Sequence, residues 1–231
     1  MAPIRVLGFP GFAQSASTMT GKLSKARAIF GDDIEFVAIE PPDPLAEPTI
    51  SNGTRALAEG SRPSHNPRPW WDWSSHESFK NPSEISFALA HVRAFLERND
   101  PSDACIGFSQ GGAMTVILLA LFERPWLHPI WQAPAKDGAT WPPPPFKAAI
   151  LCSAFGPGDP EYAAWFKEER PAVPTLHVIG KNDVVDNPSH HIPRKPYFSH
   201  LFNGWGSPAD SVAIDNVSLP PLSPDLSTAH I

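Results

Sequence analysis

The residues Gly107-Phe108-Ser109-Gln110-Gly111 set a serine between two glycines in the pattern G-x-S-x-G. A serine so placed can attack an acyl carbonyl if the chain makes a sharp strand-to-helix turn that pushes its hydroxyl out at the sheet edge. The flanks fit that requirement. Asp103-Ala104-Cys105-Ile106 ends like a short buried strand, and Gly112 to Leu121, apolar but for Thr115, reads as a buried helix. The pentapeptide alone would also suit a Gly-rich turn between two core elements. Its context makes Ser109 the candidate nucleophile.

A serine hydroxyl needs a base at neutral pH, normally histidine, and the histidine needs an orienting carboxylate. In the α/β-hydrolase arrangement the chain order is serine, acid, histidine. Asp183 follows a strand that ends near Gly180 and is the candidate acid. Asp186 is a nearby rival, and an ordinary turn aspartate is the alternative role. For the oxyanion, the pattern calls for the backbone N–H after the nucleophile, that of Gln110, and one from the loop after an early strand, near Gly11 and Phe12.

These residues need a framework, and apolar periodicity supplies one. Ile4–Phe9, Glu35–Ile39, Ala148–Cys152 and Thr175–Ile179 read as further short strands, and Ala16–Phe30 as a helix. A helix over 82–96 is well signalled: Asn81 as cap, Pro82 in the first turn, Glu84 at capping-box spacing, then Ile85, Ala88, Leu89, Val92, Phe95 and Leu96 on one face. Strands alternating with helices predict an α/β fold with a mostly parallel sheet covered on both faces. The long stretch 40–80 carries Trp70, Trp71 and Trp73. Trp70 and Trp71 either wall an apolar acyl pocket or pack the loop onto the core. Residues 124–147, with Trp126, Trp131 and Trp141 among prolines, read as an insertion over one end of the sheet, a possible lid. Val212-Ala213-Ile214 can form a short edge strand.

Composition narrows the function classes. The chain has 231 residues, 42% hydrophobic and 18% charged, which suits one α/β domain with a sizeable core. Its net charge of -6 and lack of a basic cluster argue against nucleic acid as a partner. No apolar run is long enough to span a bilayer, and the N-terminus lacks the features of a signal peptide. Cys105 and Cys152 fall on buried strands and read as free thiols, so a cytoplasmic protein is expected. The nine histidines form no recognisable metal motif, so neither a metal nor a cofactor is expected.

Several segments together resemble the fungal-type family of serine hydrolases. These are FSH-type α/β-hydrolases, related to the ovarian-cancer-associated hydrolase and to fungal polyketide-releasing thioesterases. Val6 to Gln14 resembles the family's opening strand and H-G-F/Y-x-Q turn, with Pro10 where histidine is usual. Arg68-Pro69-Trp70-Trp71 resembles its R-x-W-W/F stretch, and Gly107 to Gly112 its G-F-S-Q-G elbow. Leu151 to Phe155 and His177 to Asp183 resemble the next two strands, the second ending in the acid. The resemblance implies a hydrolase of carboxylic esters or thioesters with an acyl-enzyme at Ser109, a small-molecule acyl substrate and no cofactor. The oligomeric state stays open.

The resemblance also implies a G-G-H turn bearing the catalytic histidine, thirty to forty residues beyond the acid. Val212 to Pro221, the corresponding region, has no histidine. His190, His191, His200 and His230 remain in the tail; His200 is the first candidate and His230 the second. The expected division is an α/β-hydrolase domain over 1–187 and a divergent, partly irregular Pro/Ser-rich tail over 188–231, from real divergence or an altered reading frame. The alternative function is a catalytically impaired hydrolase fold that binds an acyl ligand or a partner.

Overall fold

The structure is a computed structural model that describes residues 2–42, 68–71, 82–135, 138, 140–157, 159–167, 169–180 and 211–214. Its frame is one six-stranded sheet: β1 (Ile4–Phe9), β2 (Ile34–Ala38), β3 (Ala104–Phe108), β4 (Ala148–Cys152), β5 (Thr175–Gly180) and β6 (Ser211–Ile214). The order is β2-β1-β3-β4-β5-β6, and every neighbouring pair is parallel. This is the mostly parallel α/β-hydrolase sheet that the alternating pattern predicts. The short strand expected at Val212 to Ile214 is present as β6, on the edge beside β5.

Side-chain parity sorts the two faces. Paired residues in a parallel ladder share a face, so Leu7, Cys105 and Ala149 point one way. They join the main core with the helices α3 (Pro82–Leu96) and α4 (Gln110–Glu123). Gly8, one residue on, faces Met19 of α1 (Ala16–Lys22) on the other side. Helices therefore cover both faces. Parity also puts Cys105 and Cys152 on opposite faces, so they cannot pair; both are free.

Two predicted elements take a different form. The helix expected over Ala16–Phe30 is two, α1 and α2 (Ser24–Phe30), with Leu23 closing the first and opening the second. The segment after α4 is anchored. Its short helix α5 (Pro129–Gln132) buries Trp131 against Phe122 and Trp141. The guanidinium of Arg93, on α3, donates to the carbonyls of Ile130 and Pro134. A buried tryptophan and hydrogen bonds from a charged side chain hold this segment as part of the wall.

A last helix, α6 (Pro160–Ala164), follows β4 and is capped by the Asp159 carboxylate, which accepts from the amides of Glu161 and Tyr162. No described helix is long and apolar enough to cross a membrane.

Candidate active site

Three non-glycine residues among those described have positive φ: Ala13 (55°), Ser109 (52°) and Ser153 (46°). They lie just past the C-terminal ends of β1, β3 and β4, three adjacent strands. Left-handed backbone costs about 1–3 kcal/mol at such residues and gathers where function demands it. The strand order reverses beside β1, and in open α/β sheets the C-terminal strand ends at such a point are the usual ligand site.

Ser109 is the residue between β3 and α4, with φ 52° and ψ -119°. The elbow glycines serve space. A Cβ on Gly107 would meet Thr115 Oγ1 at 2.5 Å, one on Gly111 would run into the carbonyls of Phe9 and Pro10, and one on Gly112 into the Ala154 side chain. The turn can therefore close only with hydrogen at those positions, and the left-handed conformation falls on the serine itself. A serine at a helix start usually caps it through its hydroxyl. Ser109 makes no such bond, although its carbonyl accepts from Ala113 at 3.1 Å. Its hydroxyl stands at the positive end of a helix dipole, where negative charge is stabilised.

The loop after β1 is a tight turn. Gln14 N–H donates to the Gly11 carbonyl at 3.1 Å, and the buried Gln14 side chain accepts from Gly11 N–H at 3.2 Å. Phe12 and Ala13 form its tip. Gly11 passes so near the elbow that a Cβ there would meet the Phe108 ring at 2.9 Å. The turn at Phe12 thus faces the elbow that leads into Gln110 and α4.

Arg68 to Trp71 form a strap across this end. Arg68 pairs with Glu40 at 3.2 Å, and Glu40 also accepts from the Ala16 amide at 2.7 Å at the start of α1. Trp70 N–H donates to Gln110 Oε1 at 3.0 Å, and Gln110 Nε2 donates to the Trp71 carbonyl at 2.9 Å. The Trp70 indole donates to the Pro10 carbonyl at 2.8 Å. Trp70 and Trp71 are buried, 2% and 5% exposed, and belong to the main core. Their rings pack the strap onto the core. The sequence treats Gln110 only as an amide; its fully buried side chain is an added element of the site. The one signal for it was a polar residue opening an otherwise apolar helix.

Asp183, Asp186, His190, His191, His200 and His230 lie outside the described residues, as do Trp73 and Asn81. A serine–histidine contact does occur elsewhere: Ser86 Oγ lies 3.1 Å from His128 Nε2 and 3.2 Å from the Tyr162 hydroxyl. It is not a nucleophile and base. His128 Nδ1 accepts from the Ile130 amide at 3.2 Å, so the neutral ring carries its proton on Nε2 and donates it to Ser86. Burial lowers the His128 pKa, partly opposed by Glu161. No group of three or more metal-ligating side chains occurs among the described residues.

The model of the serine hydrolase (FSH1) family matches residues 1–193. The human esterase OVCA2 is 31% identical over 195 residues, covering 79% of this chain and 78% of the relative. An esterase of Anopheles gambiae is 26% identical over 187 residues, covering 79% of this chain and 61% of its own length. Hydrolase FUB4 of Fusarium oxysporum f. sp. lycopersici is 27% identical over 183 residues, covering 78% and 59%.

Proposed function

The chain belongs to the FSH1 family of serine hydrolases, and from that premise we propose that it hydrolyses carboxylic esters or thioesters through an acyl-enzyme on Ser109. The observation that carries this reading is Ser109 itself, left-handed at the N-terminus of α4 with a hydroxyl that does not cap its own helix.

In the proposed reaction, Ser109 Oγ bonds to the acyl carbon while its proton passes to a histidine. The amides of Gln110 and Phe12 receive the oxyanion. The bond from the acyl carbon to the alcohol oxygen or thiol sulfur breaks, and the leaving group takes the proton. Water, deprotonated by the same histidine, then releases the acid and restores Ser109. Asp183 is the proposed orienting acid, His200 the proposed base and His230 its alternative. The apolar cluster of Phe9, Trp70 and Trp71 behind the elbow supports an apolar acyl group as substrate.

One observation favours a second reading. The residues after β6, Asp215-Asn216-Val217-Ser218, carry no histidine where the family resemblance implies one. On that reading the fold binds an acyl ligand with little turnover. Hydrolysis of a short p-nitrophenyl ester and of a matching thioester, with Ser109→Ala alongside, decides between them. Loss of turnover and of fluorophosphonate labelling in Ser109→Ala is the expected result. Equal rates in the two proteins would sink the enzyme reading, and loss in His200→Ala or His230→Ala would identify the base.

A further inference from the structure

Past the last β1–β3 pair, Phe9 with Gly107, β1 runs into the Phe12 turn and β3 into the elbow and α4, which carry the proposed oxyanion donors. Trp70 spans the gap between them. Its backbone N–H is bound by the Gln110 side chain, and its indole N–H by the Pro10 carbonyl, at 3.0 and 2.8 Å. Gln110 completes the grip through the Trp71 carbonyl at 2.9 Å. The same Pro10 carbonyl abuts Gly111, against which no Cβ would fit. Pro10 is therefore held from the elbow side by Gly111 and from the strap side by the indole. All of these groups are buried, with Trp70 2% and Gln110 0% exposed.

We propose that Trp70, gripped by the Gln110 side chain, is a positioning residue that fixes the separation of the two oxyanion-hole amides. The proposal rests on Ser109 being the nucleophile and on Phe12 and Gln110 supplying those amides. An oxyanion hole works only if both donors come within about 2.7–3.1 Å of the developing charge, and a misplacement of about 1 Å costs on the order of 100-fold. The Phe12 turn is irregular whereas Gln110 opens α4, so the distance between them depends on what holds the turn to the helix start. Here Gly111 abuts the turn directly, and the Trp70 side chain from a third segment adds the hydrogen-bonded link. The linkage gives the chemistry of the elbow a dependence on the strap that the motif itself does not contain, because the residue after the nucleophile uses its amide for the oxyanion and its side chain for the brace.

The test compares Trp70→Phe, which keeps a buried ring but deletes the indole donor, with Gln110→Met, which keeps the backbone amide but releases the strap. Trp131→Phe is the matched control: Trp131 is equally buried, and its indole N–H has no hydrogen-bond partner to lose. Rates on a p-nitrophenyl ester are normalised to folded sites by fluorophosphonate titration. The expected result is a fall in kcat of roughly 10- to 100-fold in both test variants, with KM changed less than about threefold, and Trp131→Phe within about twofold of the parent. If Trp70→Phe does not fold, Gln110→Met decides alone. Unchanged kcat per titrated site, or an equal loss in Trp131→Phe, overturns the brace. Parent turnover that does not depend on Ser109 overturns the nucleophile assignment and the brace with it.

Discussion

The backbone N–H of Ser109 donates to the carbonyl of Cys152 at 2.9 Å, so the left-handed residue of the elbow is fixed by the strand beside its own. The conformation is imposed on serine from outside, and a residue that adopts it freely should relieve the strain. Ser109→Gly is expected to be stabilised by about 1 kcal/mol, the relieved strain less the added chain entropy of glycine, while losing ester turnover. Urea denaturation of both proteins checks this; a Ser109→Gly protein less stable than the parent would refute it.

Glycine substitutions should split by position. Gly111→Ala sets a Cβ against the backbone carbonyls of Phe9 and Pro10, which cannot rotate away, and is expected to cost about 3 kcal/mol or more or to prevent folding. Gly21, within α1, has nothing within 4 Å of its Cβ position. Gly21→Ala is expected to gain up to about 1 kcal/mol. Thermal melts of the two variants measure the contrast.

Acid should loosen the helical wall through His128. Its folded pKa is lowered by burial, with Glu161 opposing, and that of His177 is lowered by burial as well. Between the unfolded pKa of about 6.5 and the lower folded values, the unfolded chain binds more protons, so stability rises with pH there and falls as pH drops through that window. Protonating His128 Nδ1 also breaks its bond from Ile130. His128→Asn keeps an acceptor for that amide without titrating. It is expected to flatten the slope of the urea midpoint between about pH 5 and 7, leaving the share due to His177. An unchanged slope would refute the His128 contribution.

The thiols should be quiet in the native state. Burial raises the pKa of Cys105 far above the usual thiol range and raises that of Cys152 less completely. A thiol-specific reagent at about pH 8 is expected to leave Cys105 unmodified until denaturant is added, with Cys152 the faster of the two. Mass spectrometry of the labelled protein reads both sites.

The elbow was legible because its requirements are local: small residues where neighbouring backbone crowds in, then an apolar helix. Strand existence was legible from short apolar runs, and even the edge strand near Val212 followed from three residues. The division of Ala16–Phe30 at Leu23 was not, since the apolar spacing runs through the break and only the docking of α1 beneath Gly8 decides it. Trp70 and Gln110 were visible as residue types, but their bonds join positions 40 and 60 apart in sequence, and no periodicity encodes such a contact. The proposed acid and base are legible only as residue types and order, because Asp183 and the tail histidines fall outside the described residues.

The strand order carries a consequence for synthesis. After β1 and β2 pair, every later strand among the described residues joins the same advancing edge, β3, then β4, β5 and β6. A chain leaving the ribosome can add each strand in the order it emerges, with no insertion between strands already paired. The Ser109 turn emerges with β3, but the Cys152 carbonyl that holds it arrives about forty residues later with β4, so at ordinary translation speeds of ~5–20 residues per second the turn waits seconds for its partner. The Ser109 turn thus takes its final shape only when the following strand is delivered, and the strained residue is spared until the framework that supports it exists.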